Sequence, residues 1–190
     1  MSMVTADTER KHWTAAELRA IPDDRNRYEI IDGDLFVTPS PSWSHQILSQ
    51  EIFQLLHPYT ATHQIGQILW APADVALSDD TVVDPDLFVV PLVGGKRSHS
   101  WEQVGRLLLV IEILSPSTAR LDRTVKRRRY QREGVPEYWI VDGNARLVER
   151  WRPGDDRPEI LTESLQWRPD PELPALDIEL PRLFAAVFDE

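Results

Sequence analysis

Two acidic residues of this chain sit where a carboxylate is expensive. Leu107 to Leu114 reads Leu-Leu-Leu-Val-Ile-Glu-Ile-Leu, a continuous apolar run that predicts a central strand buried on both faces, and Glu112 is its one charged residue. A buried carboxylate costs several kcal/mol unless it is paired or bound to a cation. Asp86, following Pro85 at the head of a strand expected over Leu87–Val90, is a second acid that could face the same cleft. Two carboxylates on adjacent strands repel unless they share a proton or a hard cation, and Mg²⁺ takes such oxygen ligands, keeps several waters and serves phosphate chemistry. Lys126 brings a positive charge on the following helix, where Asp122, Lys126 and Tyr130 are spaced by four and share a face. The same residues also read more plainly: Glu112 as a buried ion pair with Lys126 or an arginine, and Asp86 as an acceptor of turn hydrogen bonds.

The elements that must position these residues follow from periodicity and punctuation. Thr14 with Glu17 has the spacing of a capping box, opening a short helix that stops before Pro22. Tyr28 and Ile30, then Leu35 and Val37, flank Asp32-Gly33-Asp34 as a hairpin. Ile47, Leu48, Ile52, Leu55 and Leu56 recur at helical spacing from Ser42 or Ser44 to Pro58. Strands are expected over Gln64–Ala71, Ala73–Leu77 and Leu87–Val90, with a mobile loop from Val93 to Glu102. After the central strand, Ser117 or Thr118 can cap a basic helix ending at Gly134. Strands over Glu137–Val141, Arg146–Trp151, Glu159–Leu165 and Ala175–Leu180 lead to a closing helix, Pro181–Phe188. The order predicts a mixed α/β (α+β) single domain over residues 14–190 behind a flexible N-terminal segment, 1–13.

Composition narrows the function classes. There is no cysteine, which excludes disulfides, thiolate metal sites and a cysteine nucleophile. His12, His57, His63 and His99 lack ligand spacing, which argues against zinc. No apolar run is long enough for a bilayer and the first residues lack a signal-peptide pattern, so a cytoplasmic protein with no membrane partner is expected. Twenty-one basic against 31 acidic residues give a net charge of −10, which opposes non-specific wrapping of nucleic acid. Yet seven of the basic residues fall between Arg120 and Arg132, with Asp122 the only acid among them. Such a run is most often a solvated helix face, or is paired with acids elsewhere.

Six segments in order carry a resemblance: Tyr28-Glu-Ile-Ile-Asp-Gly-Asp-Leu, Pro39-Ser-Pro-Ser-Trp-Ser-His45, Val83-Asp-Pro-Asp-Leu, Val110-Ile-Glu-Ile-Leu-Ser-Pro-Ser-Thr, Asp122-Arg-Thr-Val-Lys126-Arg-Arg-Arg-Tyr130 and Gly134-Val-Pro-Glu-Tyr-Trp-Ile-Val-Asp142. Together they resemble the Uma2 family of restriction-endonuclease-type bacterial proteins. The resemblance implies a PD-(D/E)XK core, a central mixed sheet flanked by helices with an N-terminal hairpin. It implies a metal-dependent endodeoxyribonuclease in which Asp86 and Glu112, with the backbone carbonyl of Ile113, hold Mg²⁺ or Mn²⁺. Where the motif's lysine would stand this chain has Leu114, and Lys126 fits the role from the helix, orienting water or stabilising the transition state. Glu29 matches the N-terminal glutamate of the fold and would act through a metal-bound water. His45 would contact phosphate or relay a proton, and Arg123, Arg127 and Arg128 would meet the DNA backbone. A homodimer is compatible with cutting both strands. Residue by residue, plainer roles stay open: His45 as a capping or packing residue, and Glu29 as a partner of Arg25 or Arg27. For the whole chain, a catalytically silent DNA-binding module or an oligomeric interaction module remains the alternative.

Overall fold

The computed structural model describes residues 11–22, 26–100 and 105–189; the expected flexible segment falls outside it as far as residue 10, and residues 101–102 of the expected mobile loop fall outside it too. Helix α1 (Ala15–Arg19) opens on the anticipated capping box: Thr14 Oγ1 accepts from Glu17 N–H and Glu17 Oε2 from Thr14 N–H. Ahead of it, Trp13 N–H donates to Gly33 O at 2.9 Å. Strands β1 (Arg27–Ile31) and β2 (Asp34–Thr38) form the hairpin, with Asp32 at φ 52° and Gly33 at φ 78° in the left-handed pair that its tight turn requires. Two short strands, β4 (Val75–Ser78) and β5 (Thr81–Val83), join it in a four-stranded sheet ordered β2-β1-β5-β4.

The main sheet has six strands in the order β10-β9-β8-β7-β6-β3, comprising β3 (Gly66–Trp70), β6 (Leu87–Pro91), β7 (Leu109–Ile113), β8 (Tyr138–Asp142), β9 (Leu147–Trp151) and β10 (Glu159–Leu161). Only β7 and β8 run parallel. The connection between them is helical over residues 119–132: α3 (Ala119–Leu121), a π-helical turn (Asp122–Lys126) and α4 (Arg127–Arg132). All five residues of β7 are buried, as a central strand requires. Alternation divides its side chains: Leu109, Ile111 and Ile113 pack with helix α2 (Trp43–Thr62) and helix α5 (Leu180–Phe188), while Val110 packs on the opposite face with Tyr130, Tyr138 and Ile140. Glu112 shares the second face by parity.

Three elements depart from the sequence reading. Helix α2 does not stop at Pro58 but runs to Thr62, held by burial of Leu56 and Tyr59 and by the bond from Tyr59 hydroxyl to Pro174 O at 2.6 Å. The strand expected over Glu159–Leu165 is two: β10 pairs with β9, whereas β11 (Ser164–Trp167) pairs with β12 (Leu176–Glu179) in a separate ribbon. The three-residue β5 was too short to show a pattern. Among the described residues no helix is long and apolar enough to cross a membrane.

Candidate active site

The antiparallel β6–β7 ladder ends at Leu87 and Ile111. One step beyond, a side chain replaces the strand: Asp86 Oδ2 accepts the Ile113 N–H at 2.8 Å, so its carboxylate is fixed one residue from Glu112. The same oxygen lies 3.0 Å from His45 Nε2, and Arg27 Nη1 reaches Asp86 Oδ1 at 3.5 Å. His45 belongs to the first turn of α2, where Ser42 Oγ caps its N–H. Ser42, not His45, is therefore the cap of α2, and the His45 ring is aimed at Asp86.

On the other face, Lys126 Nζ lies 2.8 Å from Glu29 Oε1 and 2.9 Å from Glu112 Oε1, with Asp122 Oδ1 at 3.8 Å. The Tyr130 hydroxyl adds a bond to Glu112 Oε1 at 3.2 Å. The structure thus brings Glu29, His45, Asp86, Glu112, Ile113 and Lys126 to one cleft of about 420 Å³. Glu29 pairs with Lys126 rather than with Arg27, whose guanidinium is held by Asp84 (Nε to Oδ2, 2.8 Å). Arg27 and Asp84 went unmarked as site residues, because their contact joins positions 57 residues apart in the chain.

Arg123, Arg127 and Arg128 do not line this cleft. Arg123 is tied to Glu149 at 2.6 Å and Asp142 at 3.1 Å, and Arg127 lies over the Trp151 ring and bonds Gln131. Arg129 pairs with Asp32 and Glu133, and Arg132 pairs with Asp32. Only Arg128 of the three expected nucleic-acid contacts is exposed without a side-chain partner among the described residues. The basic helix is largely neutralised by acids from other elements.

The charge balance inside the cleft is uneven. Glu29, Asp86, Glu112 and Asp122 line it against the cations Arg27 and Lys126. Burial, with Asp122, Asp86 and Glu29 nearby, pushes Glu112 well above the usual carboxylate range despite Lys126. Burial likewise raises Asp122 to about 6. Asp86 goes the other way: burial alone would raise it, but the His45 hydrogen bond and charge, the Ile113 N–H and Arg27 outweigh that and leave it low. Lys126 loses hydration, yet Glu112, Glu29 and Asp122 more than compensate, so it holds its proton more firmly than an ordinary lysine. With Lys126 charged and acids in excess, Glu112 is the carboxyl whose ionised form the cleft disfavours most.

Buried groups rarely lack partners, and exceptions ask for a reason. Glu29 Oε2, Thr38 Oγ1, His45 Nδ1 and Asp122 Oδ1 are buried without a hydrogen-bond partner, and all four residues line the cleft. Among the described residues no three Asp, Glu or His side chains group as ligands of one ion. The hard oxygens and surplus negative charge nevertheless suit a hard divalent cation that rests on two carboxylates and completes its shell with backbone or water oxygen, while the orphaned carboxylate oxygens themselves belong to Glu29 and Asp122.

The mixed sheet with its helical β7–β8 crossover has a counterpart among solved structures. A crystal structure of a putative nuclease belonging to DUF820 from Anabaena variabilis ATCC 29413 matches with a TM-score of 0.73 at 19% identity, over 93% of this chain and 99% of that one. The family model of Uma2, whose description is putative restriction endonuclease, matches residues 15–181, and the chain belongs to that family. No curated protein matches it.

Proposed function

We propose that this chain is a metal-dependent endonuclease that hydrolyses phosphodiester bonds of DNA. What carries the reading is the convergence of Asp86, Glu112 and Lys126 on one cleft with more buried negative charge than its own cations offset. Asp86 and Glu112, with the Ile113 carbonyl, would hold Mg²⁺ or Mn²⁺. That ion supplies Lewis acidity toward a phosphate oxygen and a water, the chemistry that phosphodiester hydrolysis needs. The chain's own groups do the rest. His45 and the Ile113 N–H fix the orientation of the Asp86 carboxylate. Lys126 is the cation nearest Glu112, and its retained proton offsets charge developing on the phosphate. Glu29 anchors Lys126, and Tyr130 fixes the same Glu112 oxygen from the helix.

The test is calorimetric titration of Mn²⁺ into the metal-free protein and into Glu112→Ala, with plasmid cleavage run on the same samples. Binding and cleavage both lost in the variant support the assignment. Failure of the wild type to bind at millimolar metal overturns it. A second reading, a catalytically silent nucleic-acid-binding module, is favoured by the closed contact of Lys126 with both Glu29 and Glu112; DNA binding that needs no metal and is never followed by cleavage would establish it.

A further inference from the structure

Trp43 is 84% exposed, the most exposed large hydrophobic residue described, and it is the first residue of α2. A solitary surface tryptophan needs no explanation by itself. This one stands between Ser42 and Ser44, both of which line the cleft, with His45 two residues on. Its backbone therefore stands at the rim of the site, on the segment that also carries a site residue, while the exposed indole is not itself part of the cleft lining. The start of the 20-residue α2 adds backbone N–H groups without intrahelical partners, a favourable setting for a phosphate. Beside it, the His45 ring is nine-tenths buried and its Nδ1 has no partner.

Duplex DNA is captured mainly through unpaired lysines and arginines along its phosphates. That resource is scarce at the cleft itself: Arg27 and Lys126, the arginine and lysine among its lining residues, are ion-paired there, Arg123, Arg129 and Arg132 are committed to internal acids, and exposed arginines such as Arg120 and Arg128 do not line it. A single strand is gripped differently, by aromatic faces on which bases stack irrespective of sequence. A cleft of about 420 Å³ falls among sites that seat one small-molecule-sized group. We propose that the cleft takes an unpaired strand and that Trp43 is the stacking platform for the base next to the phosphate at the site. This inference rests on the nuclease reading above and names its substrate class.

The test measures Mn²⁺-dependent cleavage of a short labelled oligonucleotide, single-stranded or annealed to its complement, by wild type, Trp43→Ala and Trp43→Phe. The single strand is cut faster than the duplex. Trp43→Ala lowers kcat/KM on the single strand by roughly 5- to 150-fold, the range for one stacked base, mainly through KM. Trp43→Phe recovers most of the loss, and urea midpoints of both variants match wild type because the side chain packs on little. An abasic position beside the cut reproduces the defect in wild type and adds nothing in Trp43→Ala. Duplex cleavage at least as fast as single-strand cleavage, or an unchanged Trp43→Ala, overturns the inference and leaves the nuclease reading standing. Absence of metal-dependent cleavage of either substrate overturns both.

Discussion

Lys126 is the cation shared by Glu29, Glu112 and Asp122, and it is 2% exposed. Lys126→Met keeps most of its volume and removes its charge. At an effective dielectric of about 20, unit charges roughly 3 Å apart attract by about 5–6 kcal/mol, and part of this is offset because methionine need not be dehydrated as an ammonium is. Removing one partner of a buried pair leaves uncompensated charge behind and costs about 3–5 kcal/mol. We expect that loss at pH 7.5 in EDTA, read from urea denaturation followed by tryptophan fluorescence. The pH dependence has a definite sign. The raised pKa of Lys126 means that its contribution is complete at neutral pH and is lost only as pH climbs past 10.5 and through the folded value. The raised pKa of Glu112 acts oppositely: its contribution is present below 4.5 and disappears as pH rises through the folded value. Without Lys126 the stranded carboxyls bind protons more readily still, so the penalty shrinks at pH 5. Adding Glu112→Gln to Lys126→Met recovers about 1–3 kcal/mol through the coupling of neighbours. A loss below about 1 kcal/mol at pH 7.5, or one equal at both pH values, would refute the view of Lys126 as the countercharge of a buried acid cluster.

Three further outcomes follow from the same contacts. Asp122 rises from 3.8 to about 6, so the wild type loses about 3 kcal/mol as pH climbs from about 4 through 6; urea midpoints of Asp122→Asn across that window lack this slope. Arg127→Ala, which removes a guanidinium 4.6 Å from the centre of the Trp151 ring, costs about 1 kcal/mol of stability while leaving the salt dependence of nucleic-acid binding unchanged, as an anisotropy titration would report. Gly66→Ala puts a Cβ 2.2 Å from Val90 O across the β3–β6 pair, and thermal melting should show a loss of about 1–3 kcal/mol from this overpacking.

The parts legible in the sequence are those set by local pattern. An unbroken apolar run announced β7 and made Glu112 conspicuous, and a proline punctuated the approach to Asp86; both line the cleft. What stayed hidden depends on contacts remote in the chain. The sequence allows the basic helix to pair with acids elsewhere but does not identify those acids, because Asp32, Asp142 and Glu149 come from a hairpin turn and the β8–β9 pair. Glu29 stands two residues from Arg27 and alternation puts both on one face of β1, yet their partners come from different elements: Arg27 is held by Asp84, Glu29 by Lys126. The run through Pro58 was likewise decided by burial of the helix face beyond it, which overrode the local preference to stop.

The place of the lysine follows from the helix that carries it. Leu114 lies two residues after Glu112, so a lysine there would stand just past the end of β7; Lys126 instead reaches Glu112 from the β7–β8 crossover. An α-helix turns about 400° over four residues, so positions four apart drift by about 40° at each step, and three of them cannot all keep to one narrow face. Asp122, Lys126 and Tyr130 are all buried, at 1%, 2% and 0%. The π-helical turn over Asp122–Lys126, where Arg127 N–H bonds back to Asp122 O, widens the winding between the first two and takes back that drift. The wider turn keeps an acid, the ammonium and a phenol in register over the buried carboxylate. A lysine supplied by a helix therefore meets the strand's glutamate without distorting β7, whose hydrogen bonds to β8 stay intact beside the site.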